Sequence, residues 1–189
     1  MASDSAQAGQ VSVLFVCLGN ICRSPMAEGV FRHLTDFGTS KQHPLIKEVD
    51  SCGTGAYHAG DRPDSRTLSV LEDNGLTNYK HKARRVKVPE DFERFDYLLA
   101  MDENNYIDLR DSVKRAQNKG SLGSDALDKV YMYGEFGGKN KKEEIVDPWY
   151  DGGREGFEVA YEQVSRMGKG LLKHIEERAK AAADGKSEL

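Results

Sequence analysis

Continuous apolar runs alternate with segments of helical periodicity along most of the chain. The first run, VSVLFVC at residues 11–17, is apolar at both odd and even positions, which is typical of a strand covered by helices on both faces. Three further strands are predicted at IKEVDSCG (46–53), FDYLLAMD (95–102) and DKVYMYGEF (128–136). Helices are predicted after the first run, where Ala27, Val30, Phe31 and Leu34 share one face, and over residues 64–75, 103–118 and 154 to about 178.

This order of elements predicts an α/β fold. Alternating strands and helices form parallel sheets with right-handed crossovers, so we expect an open four-stranded parallel sheet with helices on both faces. Residues 1–10 and 179–189 have little to bury and are expected to be flexible tails around one domain at 11–178. In such folds ligands bind beyond the carboxyl ends of the strands, and the first predicted strand ends at Cys17.

Composition excludes several classes of protein. The 189 residues include 27 Lys and Arg against 31 Asp and Glu, a net charge of -4 that gives no sign of nucleic-acid binding. No segment approaches the roughly 18 consecutive apolar residues of a membrane span, and the first residues lack the features of a secretory signal. We therefore expect a cytoplasmic protein without a membrane span.

Cysteine usage favours reduced thiols. Cys17, Cys22 and Cys52 are an odd number of cysteines in a chain without an export signal, so a disulfide framework is not expected. No second cysteine or histidine pair has the spacing to complete a zinc site with Cys17 and Cys22, so no metal is predicted. Cys52 is interpreted as a core residue.

The turn that follows the first strand, in VCLGNICRSPMAEGVF (16–31), has the composition of an anion site. Gly19 and Asn20 suit the tight turns that point amides inward, and the predicted helix adds its positive end. That helix is expected to have Ser24 as N-cap, Pro25 in its first position and Gly38 beyond its end.

The side chains of this turn add charge and a nucleophile. Arg23 can hold two phosphate oxygens at once, and the amides and guanidinium favour the thiolate of Cys17. The Ser24 hydroxyl could hydrogen-bond that sulfur.

The spacing of Cys17, five residues, Arg23, Ser24 and Pro25 resembles the phosphate loop of the low-molecular-weight protein tyrosine phosphatases. Three further segments resemble that family in order: DSCGTGAYHAGDRPDSRT (50–67), HKARRV (81–86) with FDYLLAMDENN (95–105), and VDPWYD (146–151). The resemblance covers roughly residues 11–178 and implies a reaction without metal or cofactor. Cys17 would attack phosphorus, Arg23 and the loop amides would hold the oxygens, and Asp147 would be the general acid.

The resemblance also implies roles around this centre. Residues that would contact substrate are Leu18, Gly19, Asn20, Ile21, Cys22, Ser24, Tyr57, Trp149 and Tyr150. Ser51 and His81, with Asn20, would support the loop by hydrogen bonds. Cys22 is interpreted either as a thiol that can bond Cys17 reversibly or as a packing residue.

The implied substrates are phosphotyrosine proteins or small aryl phosphates, and the implied state is a monomer or a weak homodimer. Three alternatives stay open: a phosphoarginine phosphatase, which Ile21 disfavours, a thiol-dependent arsenate reductase, and a phosphate-binding module without turnover. Residues 119–127 and 137–144 are predicted loops without an assigned function.

Overall fold

A computed structural model describes residues 9–150 and 153–184 of the chain. The strands are β1 (Val11–Cys17), β2 (Ile46–Gly53), β3 (Tyr97–Ala100) and β4 (Val130–Met132). The helices are α1 (Arg23–Leu34), α2 (Ser65–Asp73), α3 (Glu90–Arg94), α4 (Glu103–Asn118) and α5 (Glu155–Asp184). Two short 3-10 helices, at Ser124–Lys129 and Tyr133–Glu135, flank β4.

The four strands form one parallel sheet in the order β2-β1-β3-β4, which confirms the predicted fold class. β1 lies between β2 and β3, with Phe15 opposite Ser51 on one side and Leu99 on the other. After β1 the chain adds β2 on one side of it, and it then crosses to the other side to add β3 and β4. The carboxyl end of β1, where Cys17 lies, is therefore the position at which such sheets bind ligands.

Each face of the sheet is covered by a separate apolar cluster. On one face Phe15 packs edge-on against Phe31 of α1 and Tyr133, with ring centroids 5.7 and 5.2 Å apart. On the other face Leu14 and Leu98 belong to the cluster that contains the buried side of α4. Because both faces of β1 are buried, its sequence is apolar at every position after Ser12.

Several boundaries differ from the sequence prediction. β3 and β4 are shorter than expected, and the predicted continuation of β4 is a 3-10 helix in which the Tyr133 hydroxyl donates to the Val164 carbonyl at 3.1 Å. α3 was not predicted, because it is only five residues long. Residues 179–184, expected to be part of a tail, continue α5, since Ala and Lys favour helix even where they bury little.

The remaining predicted tail residues, 1–8 and 185–189, lie outside the described part of the chain, and the division into tails and one domain stays a prediction. Among the helices in residues 9–150 and 153–184, none is long and apolar enough to cross a membrane.

We expect Phe15→Ala to lower the free energy of unfolding by about 3–5 kcal/mol, because it leaves a cavity between the sheet, α1 and Tyr133. Ile107→Ala, at a position that is 49% exposed on α4, should change it by less than about 0.5 kcal/mol. Urea denaturation measures both values. Similar losses in the two variants would contradict the assigned core.

Candidate active site

Hydrogen-bond donors surround the sulfur of Cys17 in the loop between β1 and α1. The Asn20 amide donates to Cys17 Sγ at 3.2 Å, and Ser24 Oγ lies 3.0 Å from the same atom. Cys17 is 3% exposed, so these contacts form largely away from bulk water. The predicted contact between Ser24 and the sulfur is therefore present.

Ser24 makes this contact instead of capping a helix. α1 begins at Arg23, with Cys22 as the N-cap residue and without a side-chain capping bond, so the predicted roles of Ser24 and Pro25 at the helix start are wrong. Ser24 lies inside the first turn and is fully buried. Its hydroxyl is used by the sulfur and the Asn20 side chain, which leaves the free amides at the start of α1 directed towards the loop.

Asn20 has the left-handed backbone expected for it, with a φ of 58°. Its side-chain amide donates to Ser24 Oγ and to Ser51 Oγ, both at 2.9 Å. Its carbonyl oxygen accepts from the backbone of Arg84 at 2.9 Å and lies 2.8 Å from His81 Nε2. This fully buried residue therefore joins the loop to β2 and to the segment that carries His81.

Glycine is required at a different position from the one predicted. Gly19 is not in the left-handed region, and a Cβ there would lie 3.1 Å from the His58 ring. At Gly53, a Cβ would lie 2.5 Å from the Leu18 carbonyl oxygen. The end of β2 thus approaches the loop so closely that only glycine fits.

Arg23 connects three parts of the site. Its guanidinium is 5% exposed and contacts Asp102 Oδ2 at 2.5 Å and Asp147 Oδ2 at 2.9 Å. Burial disfavours its charge, but Cys17 and the two carboxylates outweigh burial and raise the pKa of Arg23 above its ordinary value. The loop, the end of β3 and the segment before α5 therefore meet at one cation.

Sequence reasoning missed the role of Asp102. This residue follows β3 and is the N-cap of α4, where its Oδ1 accepts from the Asn105 amide at 2.7 Å. An acidic residue at the carboxyl end of a parallel strand was the available signal, but an N-cap aspartate already has a structural explanation. In the structure it does both, because its second oxygen contacts Arg23.

A cavity of about 310 Å³ opens over the loop. It is lined by Cys17, Leu18, Gly19, Asn20, Ile21, Cys22, Arg23, Tyr57, His58, Asp147, Trp149 and Tyr150. The structure thus brings together all the predicted substrate-contacting residues except Ser24, which lies beneath the loop.

The outer wall of this cavity is aromatic. Tyr57 and Tyr150 are 79% and 80% exposed, while Trp149 is 43% exposed. His58, which sequence reasoning also missed, has its ring centroid 5.7 Å from that of Trp149 and pairs with Asp61 at 3.2 Å. Apolar side chains that are this exposed beside a concave site are typical of a binding surface.

A buried polar network supports the loop from below, as expected for Ser51 and His81. Ser51 Oγ donates to Glu28 Oε2 at 2.7 Å, and His81 Nδ1 lies 3.2 Å from the same carboxylate oxygen. Burial lowers the pKa of His81, and the carboxylates of Glu28 and Asp50 oppose that shift. Because Asn20 bonds to both Ser51 and His81, this network fixes the loop conformation.

The same network contains the group of potential metal ligands found within the described residues. One donor atom each from Glu28, Asp50 and His81 lie within 4.8 Å of one another. However, both oxygens of Asp50 already accept bonds, one from the Ser51 amide and the other from the Arg84 guanidinium, each at 2.8 Å. A cation would have to displace these partners, so we assign this group a supporting role.

The three cysteines are free and differ in environment. Cys22 lines the same cavity as Cys17, but burial raises its pKa to about 12. Cys52 is fully buried in β2, and burial raises its pKa well above the ordinary value. Of the three, only Cys17 has its sulfur in contact with a backbone amide and a hydroxyl of the loop, those of Asn20 and Ser24.

Comparison with known proteins agrees with this geometry. The family model of low molecular weight phosphotyrosine protein phosphatases matches residues 12–181. A protein of this name from Schizosaccharomyces pombe is 44% identical over 165 residues, which cover 87% of this chain and 97% of that protein. The chain belongs to the low molecular weight phosphotyrosine protein phosphatase family.

Solved structures support the same assignment. A protein tyrosine phosphatase from Entamoeba histolytica superimposes with a TM-score of 0.74 at 33% identity, covering 89% of this chain and 98% of that one. A drosophila arginine phosphatase superimposes with a TM-score of 0.68 at 32% identity, covering 86% and 96%. The family fold is therefore similar between chains with different named substrates.

For this family member we expect Asn20→Ala to lower the free energy of unfolding by about 2–4 kcal/mol. The change leaves several buried polar groups without their hydrogen-bond partner, and it places alanine in a left-handed backbone conformation that alanine disfavours. Asn20→Gly loses the same bonds but tolerates the positive φ, so it should be about 1 kcal/mol more stable than Asn20→Ala. Urea denaturation compares the two. Equal stabilities would mean that the backbone conformation carries no cost.

The thiol environments predict selective alkylation. At pH 7 a thiol with a pKa near 12 is thiolate in only about one molecule in 10⁵, so iodoacetamide should modify Cys17 and spare Cys22 and Cys52. Peptide mass spectrometry identifies the modified residue, and the same reaction in urea should modify all three. Modification of Cys22 before Cys17 in the folded protein would contradict this assignment.

Proposed function

We propose that this chain is a protein tyrosine phosphatase that hydrolyses phosphotyrosine and aryl phosphate monoesters through a phosphocysteine intermediate. The observation that supports this most directly is the grouping of Cys17, Arg23 and Asp147 at one cavity, with Arg23 Nη2 2.9 Å from Asp147 Oδ2. A nucleophile, a fixed cation and a carboxylic acid are the groups needed to transfer a phosphoryl group without a metal.

In the first step Cys17 Sγ attacks phosphorus as a thiolate, and the bond from phosphorus to the phenolic oxygen breaks. The loop amides and Arg23 hold the three equatorial oxygens, whose charge grows in the transition state. Asp147 donates a proton to the leaving oxygen, so that a neutral phenol departs. A phosphate that takes over the Arg23 guanidinium would release Asp147 to turn towards that oxygen.

In the second step Asp147, now a carboxylate, accepts a proton from water as the water attacks phosphorus. The bond from sulfur to phosphorus breaks, which restores the Cys17 thiolate and releases inorganic phosphate. Ser24 Oγ, 3.0 Å from the sulfur, can donate to the thiolate as it leaves. The proposal requires no metal or cofactor, because Arg23 and the amides supply the positive charge.

The shape of the cavity favours an aromatic leaving group. Tyr57, Trp149 and Tyr150 offer aromatic surfaces to a phenyl ring, and Ile21 adds an apolar contact near the loop. Aromatic walls can also stack on a guanidinium, so the preference for phosphotyrosine over phosphoarginine is based on the apolar Ile21. We further expect the enzyme to act in the cytoplasm as a monomer or a weak homodimer.

The test is phosphate release from an aryl phosphate and a phosphotyrosine peptide, at slightly acid pH with chelator and reductant. Cys17→Ser should abolish turnover, because the hydroxyl is a far weaker nucleophile. Asp147→Asn should lower kcat by about 10²–10⁴-fold, since general acid catalysis contributes that much. Cys22→Ser is the matched control in the same loop and should retain turnover.

Turnover that survives in Cys17→Ser would contradict the covalent mechanism. A wild-type enzyme that releases phosphate faster from phosphoarginine than from phosphotyrosine would replace the proposed substrate. Absence of turnover in the wild type would leave phosphate binding or arsenate reduction as the better assignments.

A further inference from the structure

Five exposed basic side chains lie together outside the proposed catalytic centre. Arg62, Lys80, Lys82, Arg85 and Lys87, here called the basic strip, are all exposed, although the whole chain has a net charge of -4. In the described part of the chain no carboxylate oxygen lies within 4.0 Å of a charged side-chain nitrogen of any of the five, although the Asp91 carboxylate accepts from the backbone amide of Lys87.

The nearby carboxylates contact other side chains. Asp61 hydrogen-bonds with His58, and Asp64 forms an ion pair with Arg66. Arg84, which points inward from the same segment, pairs with Asp50 and Asp91. The basic strip therefore brings together five cations that form no ion pair with a carboxylate of the described residues.

Backbone hydrogen bonds attach the basic strip to the rim of the cavity. The Gly60 amide donates to the Ala83 carbonyl at 2.7 Å, and the Ala83 amide donates to the Asp61 carbonyl at 2.9 Å. At the other end of the segment, Arg85 Nε donates to the Thr54 carbonyl at 3.1 Å. The loop that holds Tyr57 and His58 in the cavity wall thus lies directly against the basic strip.

A second hollow, of about 300 Å³, opens on the far side of this loop. It is lined by Arg62, Pro63, Leu68, Tyr79, Lys80, His81 and Lys82. Three exposed cations border it, and none of its lining residues is acidic. A concave site of this size can receive individual acidic side chains, whereas an extended flat surface would suit a membrane better.

The two cavities are close enough for one peptide to reach both. His58 lines the first and Arg62 the second, and four residues of extended chain span at most about 14 Å. A peptide whose phosphotyrosine enters the first cavity would cover this distance with three to five residues. Acidic side chains at that separation would lie beside Arg62, Lys80 and Lys82.

We propose that the basic strip binds an acidic segment of the phosphoprotein substrate, three to five residues from the phosphotyrosine and on one side of it. This inference rests on the proposed function, because it assigns the sequence context that the same catalytic centre selects. Opposite charges at the strip and the peptide would steer association and add binding energy that does not depend on the chemical step.

The test compares phosphotyrosine peptides that differ only in Glu or Gln at the third to fifth positions on either side. With wild type, Glu on one side should raise kcat/KM by about tenfold at low salt, since three exposed ion pairs contribute roughly twofold each. The effect should lie in KM rather than kcat, and about 0.5 M salt should remove most of it.

The variant Arg62→Gln/Lys80→Gln/Lys82→Gln should lose this preference and keep its turnover of a small aryl phosphate. The matched control is Lys47→Gln/Lys119→Gln/Lys180→Gln, which removes three exposed lysines from the opposite end of the sheet and should retain the preference. Aryl phosphate turnover reports separately on the proposed function, because the small substrate cannot reach the strip.

Equal preference for Glu and Gln peptides in wild type would overturn the proposal, as would loss of the preference in the control variant. Both outcomes would leave the phosphatase assignment intact. Vesicles containing phosphatidylserine provide the other arm of the test. If the protein binds these vesicles only when the basic strip is intact, and shows no preference for Glu over Gln peptides, the strip binds a membrane surface and the proposal is overturned.

Discussion

The conformation of Asn20 is the constraint on which the rest of the site depends. The loop after β1 turns at Asn20, whose φ is positive, and this turn brings the Asn20 amide to the Cys17 sulfur. Asparagine tolerates that backbone only moderately well, but its side chain offers two donors and an acceptor. Bonds to Ser24, Ser51 and the Arg84 backbone use all of them.

Arg23, in the same loop, has its charge balanced by two carboxylates. A guanidinium that is 5% exposed needs partners, and Asp102 and Asp147 supply them from separate parts of the chain. Asp102 is held in turn by its place at the start of α4. Arg23 is thus held in one orientation by two carboxylates, and one of them, Asp147, is the residue proposed as the general acid.

The sequence predicted the bounds of β1, β2 and α4 correctly. β1 is the clearest case, because burial on both faces gives it a continuous apolar run. The sequence predicted β4 poorly, since pairing with β3 covers only three residues of a longer apolar segment. The length of an edge strand depends on tertiary contacts, such as those of the buried Tyr133, which a local sequence pattern does not reveal.

Prediction of the site was limited in a similar way. The motif around Cys17 and Arg23 indicated a phosphate loop, whereas the use of Asp102 and His58 depends on which loops meet at the sheet edge. Ser24 shows how a local rule can mislead, because serine before a proline usually caps a helix. Here the hydroxyl contacts Cys17 and Asn20 instead, and α1 begins two residues earlier than predicted.

The division between the cavity and its surroundings has a consequence for selectivity. Contacts to the phosphate and to one aromatic ring are the same for every phosphotyrosine, so they cannot distinguish one protein substrate from another. Discrimination must come from groups at the rim of the cavity or beyond it that contact the flanking residues. The exposed parts of Tyr57 and Tyr150, at the rim, and the basic side chains of the strip, beyond it, are groups in such positions. The aromatic side chains favour substrates with apolar residues near the phosphotyrosine. The charges act over a longer range and favour substrates with acidic residues there.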